Sequence, residues 1–151
     1  MGGGPGTSIY KSTDHGKNWI EIKDGLPNSN LGKIGLAISP FDSTILYAAV
    51  ETDRRNGAVY KTTNSGGSWS KMSDTVSGAT GPHYYQELVA SPHVFDKIYL
   101  MDTKVQVSEN GGKDFYIMNE SDKHVDNHSL TFKMSDPNYL LIGTDGGVYE
   151  S

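Results

Sequence analysis

Cysteine is missing from this 151-residue chain. That excludes disulfide staples, a thiolate nucleophile and cysteine-rich metal sites. Arginine occurs only as the adjacent pair Arg54 and Arg55. The 13 basic residues are scattered and outnumbered by 18 acidic ones, for a formal charge of −5. With no basic stripe, nucleic acid is not an expected partner. No apolar run approaches the roughly 20 residues that a membrane-crossing helix needs, so no membrane partner is expected. No apolar leader precedes the glycines at 2–4, which read as a loop. What is abundant is punctuation: 18 glycines and six prolines separate short strand-like runs. The expected class is therefore all-β, within the size of one domain.

One punctuating pattern occurs three times: "STDHGKNW" at 12–19, "TTNSGGSW" at 62–69 and "SENGGKDF" at 108–115. Each is Ser/Thr-x-Asp/Asn-x-Gly-x-x-Trp/Phe, preceded by an alternating run ("SIYKS", "AVYKT", "VQVS") and followed by another. A single active site has no use for three copies, whereas a tight turn between paired strands does. Ser12, Thr62 and Ser108 open the turns. Asp14, Asn64 and Asn110 are expected to accept backbone N–H groups two residues on, and Gly16, Gly66 and Gly112 to take positive φ. Trp19, Trp69 and Phe115 open the next strand and are expected to pack back on the sheet.

The pattern resembles the Asp-box, or BNR repeat, of the sialidase-like β-propellers, and the resemblance covers nearly the whole chain. It is similar in particular to bacterial BNR-repeat proteins of the glycosyl-hydrolase type, related to the sortilin-type propeller domain and to xyloglucanases. The late segment "KHVDNHSLTFKMSDPNYLLIGTDGGVYES" resembles a His-x-Asp-x-His stretch followed by a "DGG(V/I)YES" turn in those proteins. The resemblance implies a propeller and a secreted or periplasmic location.

Measured at the box hydroxyls and at Ser151, where "GVYES" repeats the strand that precedes a box, the spacings are 50, 46 and 43 residues. A period of this length with several short strands per unit marks a propeller blade. Repeat units at about 12–61, 62–107 and 108–151 are expected within a single partial propeller over 1–151. Each would be a four-stranded antiparallel blade: the strand after the box, an inner strand (32–39, 84–91, 127–134), a following strand (44–51, 96–102, 138–144) and the strand leading to the next box. Three blades do not close a ring of about four to eight. Either a longer chain supplies further blades, or the protein self-associates into a homo-oligomer.

With the boxes structural, function is expected where inner strands converge. In "KHVDNHS", His124, Asp126 and His128 recur at spacing two and so point to one face of a strand. Two imidazoles and a carboxylate suit acid–base chemistry or a divalent ion, or else hydrogen-bond neighbouring backbone. One strand offers poor angles for chelation, so no metal is assigned and no cofactor is called for. In "GPHYYQEL", aligned on Pro92 and Met134, Tyr84 matches Asp126 and Gln86 matches His128. Tyr84 and Glu87 there suit sugar stacking and hydroxyl recognition. Alternation lets only one of Tyr84 and Tyr85 face a cavity; the other is blade core. "PNSNLGK" at 27–33 is uninformative, "ETDRRNG" at 51–57 reads as a surface turn, and Asp145 in "TDGG" as a turn residue.

Sialidases of this resemblance grip a substrate carboxylate with three arginines and carry a Phe/Tyr-Arg-Ile-Pro motif. Two adjacent arginines and no such motif mean that the chain is not a complete sialidase. Glycoside hydrolysis of the xyloglucanase type needs two carboxylates across a cavity. Asp126 and Glu87 could each be one member, but the sequence places no partner opposite either. The leading expectation is a scaffold that binds a glycan or protein ligand. The alternatives are a glycoside-hydrolase fragment with an incomplete active site and a sortilin-like peptide-binding propeller.

Overall fold

The computed structural model describes residues 3–53, 56–78 and 84–151. Within them thirteen strands form four antiparallel sheets in chain order. A ribbon of β1 (Tyr10–Lys11) and β2 (Ile20–Glu21) comes first. A four-stranded sheet follows, made of β3 (Ile34–Ile38), β4 (Leu46–Asp53), β5 (Asn56–Thr62) and β6 (Ser70–Ser73) in that order. The next orders β7 (Leu88–Ala90), β8 (Ile98–Leu100), β9 (Gln106–Ser108) and β10 (Tyr116–Ile117) the same way. The last has three strands, β11 (Asn127–Phe132), β12 (Leu140–Thr144) and β13 (Gly147–Glu150).

Successive strands in each sheet are neighbours because short turns join them, the meander expected of a propeller blade. The repeated turns lie inside sheets, joining β1 to β2, β5 to β6 and β9 to β10. A hydrogen-bonded sheet therefore begins one strand after the phase set by the box hydroxyl.

Period-two alternation explains how the sheets stack. Ala48 and Val50 of β4 join Ile9, Leu26, Ala58, Tyr60 and Trp69 in a first apolar layer. Tyr47 and Ala49, on the opposite face of the same strand, join Val59, Leu88, Ile98 and Leu100 in a second. On β8, Ile98 and Leu100 face that second layer, while Tyr99 and the following Met101 face a third with Val107, Leu130 and Ile142. A strand apolar on both faces is thus sandwiched between neighbouring sheets. Gly35 on β3 allows a close approach to the segment before β7: an added Cβ would lie 1.6 Å from the Gln86 carbonyl oxygen.

A polar staple crosses the second layer near the repeated turns. Lys61 donates to both oxygens of Asp96 at 2.7 Å, and the Tyr47 hydroxyl donates to Asp96 Oδ1 at 2.5 Å. Burial, then the bond to Asp96, raises the Tyr47 pKa above its ordinary value.

Candidate functional site

The three repeated turns adopt one geometry. In each, the opening hydroxyl donates to the Asp/Asn side chain, Ser12 to Asp14 at 2.8 Å, Thr62 to Asn64 at 2.8 Å and Ser108 to Asn110 at 3.0 Å. The same hydroxyl oxygen accepts the glycine N–H four residues on, at 2.8, 3.1 and 2.9 Å for Gly16, Gly66 and Gly112. The Asp/Asn oxygen in turn accepts the N–H of Asn18, Ser68 or Asp114. The acceptance is four residues on, not two as the sequence suggested, because two successive residues with positive φ coil the turn more tightly. His15 and Gly16 have φ of 59° and 84°, Ser65 and Gly66 58° and 84°, Gly111 and Gly112 71° and 94°. In the first turn these bonds hold the Asp14 pKa below 3.8, the backbone bond from Asn18 contributing most.

The aromatic residues differ by environment. Trp69 is buried in the first apolar layer and Phe115 packs on the second, whereas Trp19 is exposed, its indole N–H donating to the Gly16 carbonyl. The expectation that each packs back on a sheet fails for Trp19, whose ribbon has no sheet before it among the described residues.

Strand direction places the repeated turns and the loops after the inner strands β3, β7 and β11 at one end of the sheets. The loop hydrogen bonds from Ser65 N to Thr44 O and from Gly111 N to Asp96 O show this. The candidate residues of the His-x-Asp-x-His stretch lie at the opposite end, where the inner strands begin. There the structure brings Asp126 and His128 together through a residue first read as core. The Tyr85 hydroxyl donates to Asp126 Oδ1 at 2.6 Å, and the Tyr85 ring stacks on His128 with centroids 5.3 Å apart and 15° between planes. Burial and the bond to Asp126 raise the Tyr85 pKa. His128 Nε2 lies 3.1 Å from Asp145 Oδ1, and both side chains are substantially exposed.

The one-face reading of His124, Asp126 and His128 does not hold. Asp126 has φ of 64°, and the pairing of β11 with β12 shifts register between Asn127 and Ser129, so His128 occupies a bulge. Alternation of side chains is lost at such a point. His124 stands apart, exposed, its Nδ1 bonded to the Val125 carbonyl and its ring against Gly146. Among the described residues no three His, Asp or Glu side chains converge as a metal site would require.

Tyr84 is 60% exposed and Tyr85 5%, so one faces out and one packs in, but strand alternation is not the cause: the inner strand expected over 84–91 is formed over Leu88–Ala90, and Gln86, with φ of 97°, is buried beside Tyr85. Glu87 is drawn to a different partner: Lys33, at the start of β3, donates to Glu87 Oε1 at 2.5 Å, tying the first two inner strands together. Lys33, Tyr85 and Asp145 are thus members of this end to which the sequence assigned no binding role, Tyr85 and Asp145 having read as core and turn. The partners of Lys33 and Tyr85 come from another sheet or its loops, and that of Asp145 from β11 of its own sheet, so local spacing carried no signal. His83, Arg54 and Arg55 lie outside the described residues.

No protein-family model matches the sequence, and no curated protein is similar to it. Among solved structures the chain is similar to the GH74 enzyme of Niastella koreensis, with a TM-score of 0.70 and 16% identity over 95% of this chain and 25% of that one. It is similar also to the GH74 xyloglucanase from Xanthomonas campestris, at 0.64 and 19% over 97% and 24%. YCF48 bound to D1 peptide matches at 0.59 and 14%, over 94% and 43%. The chain spans about a quarter of the GH74 structures and under half of YCF48. At these identities the likeness shows the fold: an all-β run of propeller blades, fewer than a closed ring holds.

Proposed function

We propose that this partial propeller is a binding scaffold whose inner-strand end, opposite the repeated turns, recognises a glycan. One observation carries the proposal: three carboxylates at this end are each held by a partner, and the same end carries the exposed Tyr84 ring and the partly exposed His128 ring. Asp126 accepts from Tyr85, Asp145 faces His128, Glu87 accepts from Lys33, and Tyr84 stands exposed. Fixed acceptors next to an aromatic face suit sugar hydroxyls and the apolar face of a pyranose. Hydrolysis asks for one carboxyl free to give a proton and another free to attack or activate water. Here each has one oxygen engaged, by Tyr85, His128 or Lys33, which favours positioning as the part they play. The peptide in the YCF48 structure supports a protein ligand as the second reading.

The test is a glycan array, then calorimetric titration with plant-type oligosaccharides against the wild type and Tyr84→Ala. The expected outcome is binding that Tyr84→Ala weakens while the melting curve stays in place. Release of reducing sugar would replace this reading with the hydrolase reading. Uptake of peptides without glycans would replace it with the protein-ligand reading.

A further inference from the structure

A separate polar feature lies at the other end of the sheets, among the repeated turns. Between the two four-stranded sheets is a cavity of about 240 Å³, lined by Lys61, Thr63, Ser68 and Ser70 of the first and by Asp96 and Lys113 of the second. One wall is fixed: Lys61 and Asp96, with side chains 15% and 22% exposed, pair at 2.7 Å. The rest of the lining is uncommitted. Among the described residues the Thr63 and Ser70 hydroxyls and the Lys113 ammonium have no partner. Ser68 Oγ accepts the Asn64 side-chain amide at 3.0 Å, which leaves its own proton to donate.

The internal repeat shows that stacking does not require this lining. Gly111 N donates to the Asp96 carbonyl as Ser65 N donates to that of Thr44, so Asp96 stands where Thr44 stands one sheet earlier. There the Thr44 hydroxyl turns onto Asp42 of its own loop at 2.7 Å. Lys11, placed before its turn as Lys61 is, donates instead to the Ser65 carbonyl at 3.0 Å. Counted from the opening hydroxyls, Ile20 takes the place of Ser70 and Gly67 that of Lys113. The same junction is thus built one sheet earlier without the carboxylate, the second ammonium or the Ser70 hydroxyl. What sets the second junction apart is chemistry suited to a ligand.

We propose that this cavity binds an acidic sugar, a hexuronate residue of a glycan, with its carboxylate on Lys113 and its ring hydroxyls among Thr63, Ser68, Ser70 and Asp96. Among the described residues its charged side chains are Lys61, Lys113 and Asp96, a sum of one positive charge. One carboxylate balances that sum, whereas a phosphate monoester, at about −1.5 to −2, would leave charge facing Asp96. Three hydroxyls and a carboxylate exchange hydrogen bonds with a polyol, which a bare anion does not need. The volume is below the roughly 300–1,000 Å³ of drug-sized sites and suits a single ring. The site is distinct from the inner-strand end and does not rest on the function proposed for it.

The probes are the methyl glycosides of galacturonic and glucuronic acid, titrated into the isotope-labelled chain and followed by amide NMR shifts. Methyl galactoside, acetate and inorganic phosphate serve as controls. Saturable shifts are expected at the Ser68, Ser70 and Lys113 amides with at least one uronide. Methyl galactoside, which lacks the carboxylate, should bind about fivefold more weakly, and Lys113→Gln should cost the uronide about as much. Ser70→Ala should weaken the uronide about fivefold and leave acetate unaffected. Both side chains are exposed, so the melting curve should stay in place. Acetate or phosphate binding as well as the uronide would reduce the cavity to an anion site and overturn the proposal. So would a galactoside that binds equally, shifts centred on Tyr84, Tyr85 and His128 instead, or no saturable shift with either uronide.

Discussion

Replacing one serine hydroxyl in two copies of the same turn should give two different costs, and burial decides which is larger. Ser108 is fully buried, its Oγ accepting the Gly112 N–H at 2.9 Å and donating to Asn110 at 3.0 Å. Gly112 is itself buried, with Val59 of the preceding sheet 2.6 Å from where its Cβ would be. In Ser108→Ala the Gly112 N–H loses its acceptor in a place that water does not reach. An orphaned buried donor costs about 1–3 kcal/mol, and the lost bond to Asn110 adds about 1. The expected sum is about 2–4 kcal/mol, or about 4–16 °C in melting temperature for a chain of this size. Ser12 makes the same bonds, at 2.8 Å to both Asp14 and Gly16, but Gly16 is exposed. Water replaces the acceptor there, so Ser12→Ala should cost about 0.5 kcal/mol. Urea titration of both variants, followed by tryptophan fluorescence and far-ultraviolet circular dichroism, measures the difference. Equal losses would refute the reasoning, because the geometry of the bonds is alike and the one chemical difference, a carboxylate at Asp14 in place of the Asn110 amide, strengthens the exposed bond rather than the buried one.

The first turn alone has an aspartate where the others have asparagine. The folded state lowers the Asp14 pKa below 3.8, so its stabilisation is complete above that value and is lost as pH falls through the lower folded value. Asp14→Asn should flatten the stability profile below about pH 4 while leaving neutral stability close to wild type, as acid-titrated melting curves would show. Lys61→Met removes the cation between Asp96 and Tyr47, with side chains at Lys61 and Asp96 only 15% and 22% exposed. Leaving that carboxylate uncompensated should cost about 2 kcal/mol by urea titration; no loss would mean that the staple adds nothing to sheet stacking. Tyr85→Phe should lower stability by about 1–2 kcal/mol and shift the His128 ring signals in NMR spectra, since the phenol holds Asp126 and its ring stacks on the imidazole. Unchanged His128 shifts would separate the two residues.

The strands and the repeated turns were legible because both are local. Alternation in "TILYAAVE" marks a strand whose faces both go inward, and Ser/Thr, Asp/Asn and Gly at fixed offsets satisfy one another within five residues. The bounds of the second inner strand were less readable: alternation suggested 84–91, but the positive φ of Gln86 breaks the run and the strand is formed over Leu88–Ala90. The candidate site was legible only in part. That Asp126 and His128 belong together follows from their spacing, but the bulge at His128 and the positive φ of Asp126 undo the shared face. What joins them is Tyr85, 41 residues before Asp126 in the chain. Lys33 reaches Glu87 across two sheets for the same reason. Partners of that kind are chosen by how sheets stack, a matter of long-range packing. Nor does sequence tell Trp19 from Trp69. Both open a strand after the same turn, and only the presence or absence of a preceding sheet buries one and leaves the other in water.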